Sequence, residues 1–305
     1  MFLLTAADIF SEHIPRFSNK DLYPDESELT YQDLIERFNK FIKRARELKL
    51  KYKNEITLLI GMETEYIVDN KKDKEIEDKV IFATINEYKI KYCLDYVVGS
   101  ENDAYLVHHG NGYPIDYSSE KYNLAENFLA SADLNVENSE YAKTKNLIKI
   151  YFQHQYQVIK NLNKPDVIGH FDLCRIFRKD FKFDQEILQQ ININLDLIKK
   201  KDLLIEINSR AWKKNLDSAY PFKDILRLMI EKDIKFTLSD DAHGPDDVGM
   251  HYDKLYQYLN LMNINRVYSI EVNVNTGLKS YQPYHNILEN QFWKSFVSNQ
   301  KNNIF

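Results

Sequence analysis

The sequence predicts an α/β fold in which parallel strands alternate with helices, on two observations. Short apolar runs of strand length recur between longer segments with helical periodicity, the rhythm of βα units. Residues of metal-ligand type then stand directly after several of those runs.

The elements follow in order. The first ten residues, MFLLTAADIF, lack a positively charged leader and contain Asp8, so they read as a buried strand and its approach rather than a signal segment. Residues 31–48 set Leu34, Phe38, Ile42 and Ala45 on one stripe against a Lys/Arg/Glu face, the pattern of an amphipathic helix. Strands are expected at 56–60 (ITLLI), 94–98 (LDYVV), 166–169 (DVIG), 203–207 (LLIEI), 235–238 (KFTL) and 267–272 (VYSIEV). Helical patterns cover 141–162, 185–199, 221–232 and 251–262, and the polar stretch 69–77 reads as a surface turn entering a helix. No repeat, low-complexity tract or Gly/Pro/Ser-rich linker divides the chain, so residues 1–305 are expected to form one domain.

Composition narrows the function. Hydrophobic residues make up 44% and charged residues 29% of the chain, ordinary globular usage. A net charge of −5 and the lack of a basic stripe argue against a nucleic-acid partner. No window approaches the roughly 18 apolar residues of a membrane span. Two cysteines, Cys93 and Cys174, suit reduced thiols in a cytoplasmic protein.

The strand ends carry the chemistry. Gly61-Met62-Glu63 follows ITLLI, His170-Phe171-Asp172 follows DVIG, Asn208 follows LLIEI, and Ser239-Asp240-Asp241-Ala242-His243 follows KFTL. The N-terminal run ends at Ser11-Glu12-His13, and LDYVV leads within a dozen residues to His108-His109. In parallel α/β barrels the C-terminal mouth gathers such side chains onto one site. Imidazoles with carboxylates that can bridge ions suit divalent transition metals, which lower the pKa of bound water and clamp a phosphoryl group. A single histidine at one strand end is more often a satisfied polar residue, and Glu63 alone would be a solvated carboxylate. Five strand ends bearing ligand types together outweigh that reading.

At these residues the chain resembles the histidinol-phosphatases of the polymerase-and-histidinol-phosphatase (PHP) type. The strings are Glu12-His13-Ile14-Pro15-Arg16, Gly61-Met62-Glu63, Val107-His108-His109 with Pro114-Ile115-Asp116-Tyr117, Gly169-His170-Phe171-Asp172-Leu173, Glu206-Ile207-Asn208, Tyr220-Pro221 and Ser239-Asp240-Asp241-Ala242-His243. They occur in family order over nearly the whole chain. The resemblance implies a distorted (β/α)7 barrel holding up to three divalent ions, zinc, manganese or iron. It implies hydrolysis of L-histidinol phosphate to L-histidinol and phosphate in histidine biosynthesis. One ion would be held by Glu63, His108 and His170, a second by His13 and His243, and a third by Glu63 and Asp241. The implied chemistry is attack on phosphorus by a metal-bridging hydroxide held between Glu63 and Asp241. Arg16, Arg175 and Lys213 stand where the family places phosphate- or substrate-binding basic residues. For Arg175 and Lys213 the alternative is a plain surface cation. Lys213 offers a point charge where the family often has a planar fork. His109, His154, His251 and His285 match no ligand motif.

Two departures from the family pattern set further expectations. The family's N-terminal His-x-His strand and following helix have no counterpart before Met1, and residues 101–106 are inserted ahead of Val107-His108. Only the site of Glu63, His108 and His170 then keeps all its protein ligands. The ligand count predicts one tightly held ion, weak turnover, and an open seam between the strand ending at His13 and the strand at 267–272. Two alternatives stand beside the phosphatase reading. One is another PHP phosphoesterase, acting on nucleotides. The other is a barrel remnant that binds a metal or partner without turnover.

Overall fold

The computed structural model describes residues 7–16, 19, 22–64, 66, 74–101, 113–133, 135–164, 166–273 and 276–297. Six strands pair in chain order, all parallel: β1 (Ala7–His13), β2 (Thr57–Thr64), β3 (Tyr96–Gly99), β4 (Val167–Ile168), β5 (Leu204–Asn208) and β6 (Lys235–Ser239). The helices that carry the chain between and beyond them are α1 (Tyr31–Lys51), α2 (Lys74–Lys91), α3 (Ser119–Ala132), α4 (Glu140–Asn161), α5 (Gln185–Lys201), α6 (Lys223–Glu231) and α7 (Tyr252–Leu261). β7 (Arg266–Val272) pairs antiparallel with β8 (Lys279–His285). β7 packs beside β6 and also reaches β1, so the curved sheet comes round towards closure with β7 outside the parallel ladder.

Each expected strand forms, with ends displaced by a few residues, but β1, expected to be buried, leaves Phe10 exposed. β8 was not foreseen. Pro283 within SYQPYH argues against a central strand, and β8 forms instead as the outer partner of β7, where a missing N–H is tolerated. α3 was not foreseen either, because its buried stripe of Tyr122, Ala125 and Leu129 includes an acid, Glu126. Glu126 is satisfied from other elements, by Thr144 Oγ1 at 2.6 Å and the guanidinium of Arg178. α1 buries the four residues of its expected stripe and starts in a capping box: Thr30 Oγ1 accepts the N–H of Asp33, whose carboxylate accepts the N–H of Thr30.

Apolar side chains divide between the two faces of the sheet. The larger core lies between sheet and helices. The smaller one, Leu59, Tyr96, Val167, Leu204, Tyr268 and Ile270, draws from β2, β3, β4, β5 and β7. Contributions from so many strands to one small cluster mark it as the interior of the curved sheet. Strand side chains alternate faces, so this cluster also fixes what lies above it. Leu59 inside puts Gly61 and Glu63 inside, and Leu204 inside puts Glu206 and Asn208 inside. Tyr96 fills the space opposite Gly61, where an added Cβ would stand 2.4 Å from the Tyr96 ring. At the opposite ends of the strands two acids tie sheet to helices. Asp95 accepts the N–H of Ile60 at 2.9 Å and pairs with Lys49 of α1. Asp166 accepts the N–H of Val97 at 2.9 Å and pairs with Lys89 of α2.

Candidate active site

The C-terminal strand ends carry the candidate residues on one rim. His13 ends β1 and is paired in register with Glu63 near the end of β2. His170 follows β4, Glu206 and Asn208 end β5, and Asp241 and His243 follow β6.

Glu63 lies at the centre of the contacts. Its Oε1 is 3.2 Å from His170 Nε2 and its Oε2 is 3.8 Å from His13 Nε2, so each oxygen faces a different imidazole. Burial works against the Glu63 charge. The charge of His13 and the hydrogen bond and charge of His170 outweigh it and hold the carboxyl well below its ordinary range. Burial also opposes a charged His170, yet the hydrogen bond and charge of Glu63 push that imidazole up to about 9. Asp241 moves the other way: burial, reinforced by the Glu63 charge, raises it well above the ordinary carboxylate range. Two carboxylates pushed apart in this way call for added positive charge if both are to ionise.

The rim is braced from below. Glu206 Oε1 accepts the backbone N–H of His170 at 2.7 Å and the side-chain amide of Asn208 at 2.8 Å. A Cβ at Gly169 would meet Ser100 Oγ at 2.5 Å, so glycine lets Ser100, beyond the end of β3, lie this close to the end of β4. Asn208 and Tyr220 exchange backbone hydrogen bonds of 2.8 and 3.2 Å, which sets the buried Tyr220 ring against that of His170. On the β6 side, His243 Nδ1 lies 2.9 Å from the carbonyl oxygen of Asp241. A carbonyl only accepts, so Nδ1 carries the proton and Nε2 keeps its lone pair. Asp241 itself has a left-handed backbone, φ 48°. Arg210 Nη1 donates to its carbonyl at 2.8 Å and to Asp247 Oδ2 at 3.2 Å.

The expected basic residues have their own acid partners. Arg16 is buried, lies over the Tyr23 ring at 4.1 Å and pairs with Glu26. Arg175 is 3% exposed, sandwiched by Phe183 and Phe222, and bonds Asp224 at 2.7 Å, so it is no surface cation. Lys213 bonds Asp247 at 2.5 Å and is half-exposed. His108, with most of the insertion, lies outside the described residues. Its first residue, Glu101, is described: it is buried and pairs with His154 Nδ1 at 3.3 Å, which accounts for His154 as a core group. Arg210 and Glu206 are the site residues that sequence reasoning did not assign. Glu206 stood within a quoted motif, but its bond to His170 spans 36 positions.

Among the described residues no three of these side chains converge on a single point as ligands of one ion. They meet in pairs: Glu63 with His13, Glu63 with His170, and Asp241 with His243. The donor set nonetheless fits a divalent cation. It is built of imidazole nitrogens and carboxylates, with the two oxygens of Glu63 directed to different partners. His170 Nδ1, fully buried, has no hydrogen-bond partner.

Known proteins give independent information. The PHP domain family matches residues 6–210. A Schizosaccharomyces pombe protein described as "Probable histidinol-phosphatase" is 36% identical over 267 residues, spanning 86% of this chain and 78% of its own. The histidinol-phosphatase of Saccharomyces cerevisiae is 31% identical over 284 residues, spanning 82% and 77%. The crystal structure of the Listeria monocytogenes protein hisK, which bears the histidinol phosphatase name, superposes with a TM-score of 0.62 at 25% identity, covering 81% of this chain and 88% of that one.

Proposed function

Because this chain belongs to the PHP domain family, we propose that it is a histidinol-phosphatase, hydrolysing L-histidinol phosphate to L-histidinol and inorganic phosphate in histidine biosynthesis. The observation that carries the reading is Glu63 set between His13 and His170 on a rim that also bears Asp241 and His243. Relatives named for this activity align over most of the chain.

We assign His13, Glu63, His170, Asp241 and His243, together with His108, as the groups that hold divalent zinc, manganese or iron. Such ions, when bound, polarise the phosphoryl group and lower the pKa of water at the site. The chain's own residues prepare the rest. Glu63 supplies fixed negative charge shared between two imidazoles. Glu206 holds the His170 backbone, and Asn208 holds Glu206. The Asp241 carbonyl fixes the tautomer of His243 and so aims its Nε2 lone pair. Tyr96, fully buried, packs beneath Glu63 among the apolar side chains of the sheet interior.

The substrate is a small phosphorylated amino alcohol, and residues 1–305 act as one barrel domain. The free thiols of Cys93 and Cys174 suit the cytoplasm. No helix among the described residues is long and apolar enough to cross a membrane. A phosphate-release assay comparing L-histidinol phosphate with a plain alkyl phosphomonoester tests the proposal. Preferential release from L-histidinol phosphate supports it, and equal or no release contradicts it.

A further inference from the structure

The base of the sheet, at the strand starts and away from the rim, carries lysines with different partners. Lys49 of α1 bonds Asp95 at 2.7 Å, and Lys89 of α2 bonds Asp166 at 2.6 Å. Lys279, the first residue of β8, comes to the same place. Its one hydrogen bond among the described residues goes to the carbonyl of Leu94, the neighbour of Asp95, at 2.9 Å. The N–H of Leu94 in turn donates to the Lys89 carbonyl at 3.0 Å, so the three lysines gather at the start of β3. An ammonium has three N–H donors, and two of those on Lys279 have no acceptor among the described residues. Both nearby acids are already paired, and the residue opposite Lys279 on β7 is the uncharged Val272. Burial is the largest influence on its ammonium. The charges of Asp95 and Asp166 oppose burial, those of Lys89 and Lys49 reinforce it, and the group is held below the ordinary lysine range. Lys201, also at this end, differs: two of its N–H groups go to the carbonyls of Lys160 and Leu162.

We propose that Lys279 is a site of Nε-acylation by small acyl phosphates and reacts ahead of the lysines around it. A half-buried amine that gives up its proton readily is a nucleophile. The lone pair of the neutral amine attacks the acyl carbon. A C–N bond forms, the bond from the acyl carbon to the phosphate oxygen breaks, and inorganic phosphate leaves with that electron pair. One nitrogen proton passes to solvent, and the product is an uncharged amide. The ammonium groups of Lys49 and Lys89 also favour the approach of an anionic donor. This chemistry lies at the opposite end of the strands from Glu63 and does not rest on the phosphatase reading.

The test treats full-length, metal-loaded protein with acetyl phosphate and follows initial acetylation rates lysine by lysine by mass spectrometry. Lys279 should react at least about threefold faster than Lys49, Lys89 or Lys201, the direction that a disfavoured ammonium gives. Its rate should level off at a pH below the ordinary lysine value of about 10.4. Lys49→Met removes a like charge and leaves the Asp95 carboxylate to face Lys279, so the Lys279 rate should fall at least about twofold. A Lys279 rate no faster than that of any of those three lysines would overturn the proposal. So would levelling at or above the ordinary lysine value, or a rate that Lys49→Met leaves unchanged or raises while melting like wild type. If Lys49→Met melts early, the wild-type rate order and pH profile decide.

Discussion

The carboxylate of Glu63 and the imidazole of His170 meet at 3.2 Å although 107 positions separate them in the chain. Their meeting follows from the period of β2 and the place where β4 ends. Leu59 inside the sheet commits Glu63 to the same face, and Glu206 holds the His170 backbone where β4 ends. A carboxylate whose other oxygen faces a second imidazole is the natural bridge for cations. Glu63→Gln keeps the shape and removes the charge. Its expected outcome is loss of bound metal and a fall in turnover of at least about 100-fold, together with loss of the stability that the charged His170 draws from Glu63 in the metal-free protein. Elemental analysis beside a phosphate-release assay checks it.

Glu206 acts through His170. Removing its carboxylate in Glu206→Ala leaves the buried N–H of His170 and the Asn208 amide without their acceptor. Metal affinity should fall about 10- to 100-fold, as for other groups that orient a ligand. Substrate KM at saturating metal should change little, and that split separates loss of orientation from loss of substrate contact.

Protons and metal compete for His170. Its pKa in the metal-free protein is raised from 6.5 to about 9. The stabilising contribution of the charged imidazole is therefore fully present below pH 6.5 and lost as pH rises through about 9. A metal ligand must be unprotonated, so apparent metal affinity should rise over that same interval. Thermal melts of metal-free protein and metal titrations across it should show opposite trends. His170→Gln should abolish the first.

Stability is set away from the rim. Asp166→Ala strips the acceptor from the Val97 N–H and the partner from Lys89, and should cost about 1.5–3 kcal/mol. Gly61→Ala drives a methyl into the Tyr96 ring and should cost about 1–3 kcal/mol. Denaturant melts measure both. Asp166→Ala should leave metal affinity unaltered.

How much of this was legible in the sequence depended on the range of the interaction. Strand ends bearing His13, Glu63, His170, Asp241 and His243 announced themselves, because residue type and local apolar pattern coincide there. The α1 stripe was equally local. β8 was hidden because its pairing with β7, not its own composition, makes it a strand. Nothing in the run Ser209-Arg210-Ala211-Trp212-Lys213 distinguishes one cation from the other. Only the approach of Asp241 from the end of β6 does so, since Asp247 pairs with both. Arg175 showed the converse: its place beside a motif suggested substrate, whereas Asp224, Phe183 and Phe222 enclose it from other elements.

The most direct test is phosphate release from L-histidinol phosphate before chelation, after chelation, and after a divalent ion is restored. The account predicts hydrolysis that disappears with the metal and returns with zinc, manganese or iron. It also predicts that Glu63→Gln recovers none under the same restoration. Release that survives complete metal removal, or full activity in Glu63→Gln, would contradict a metal-dependent phosphatase centred on Glu63.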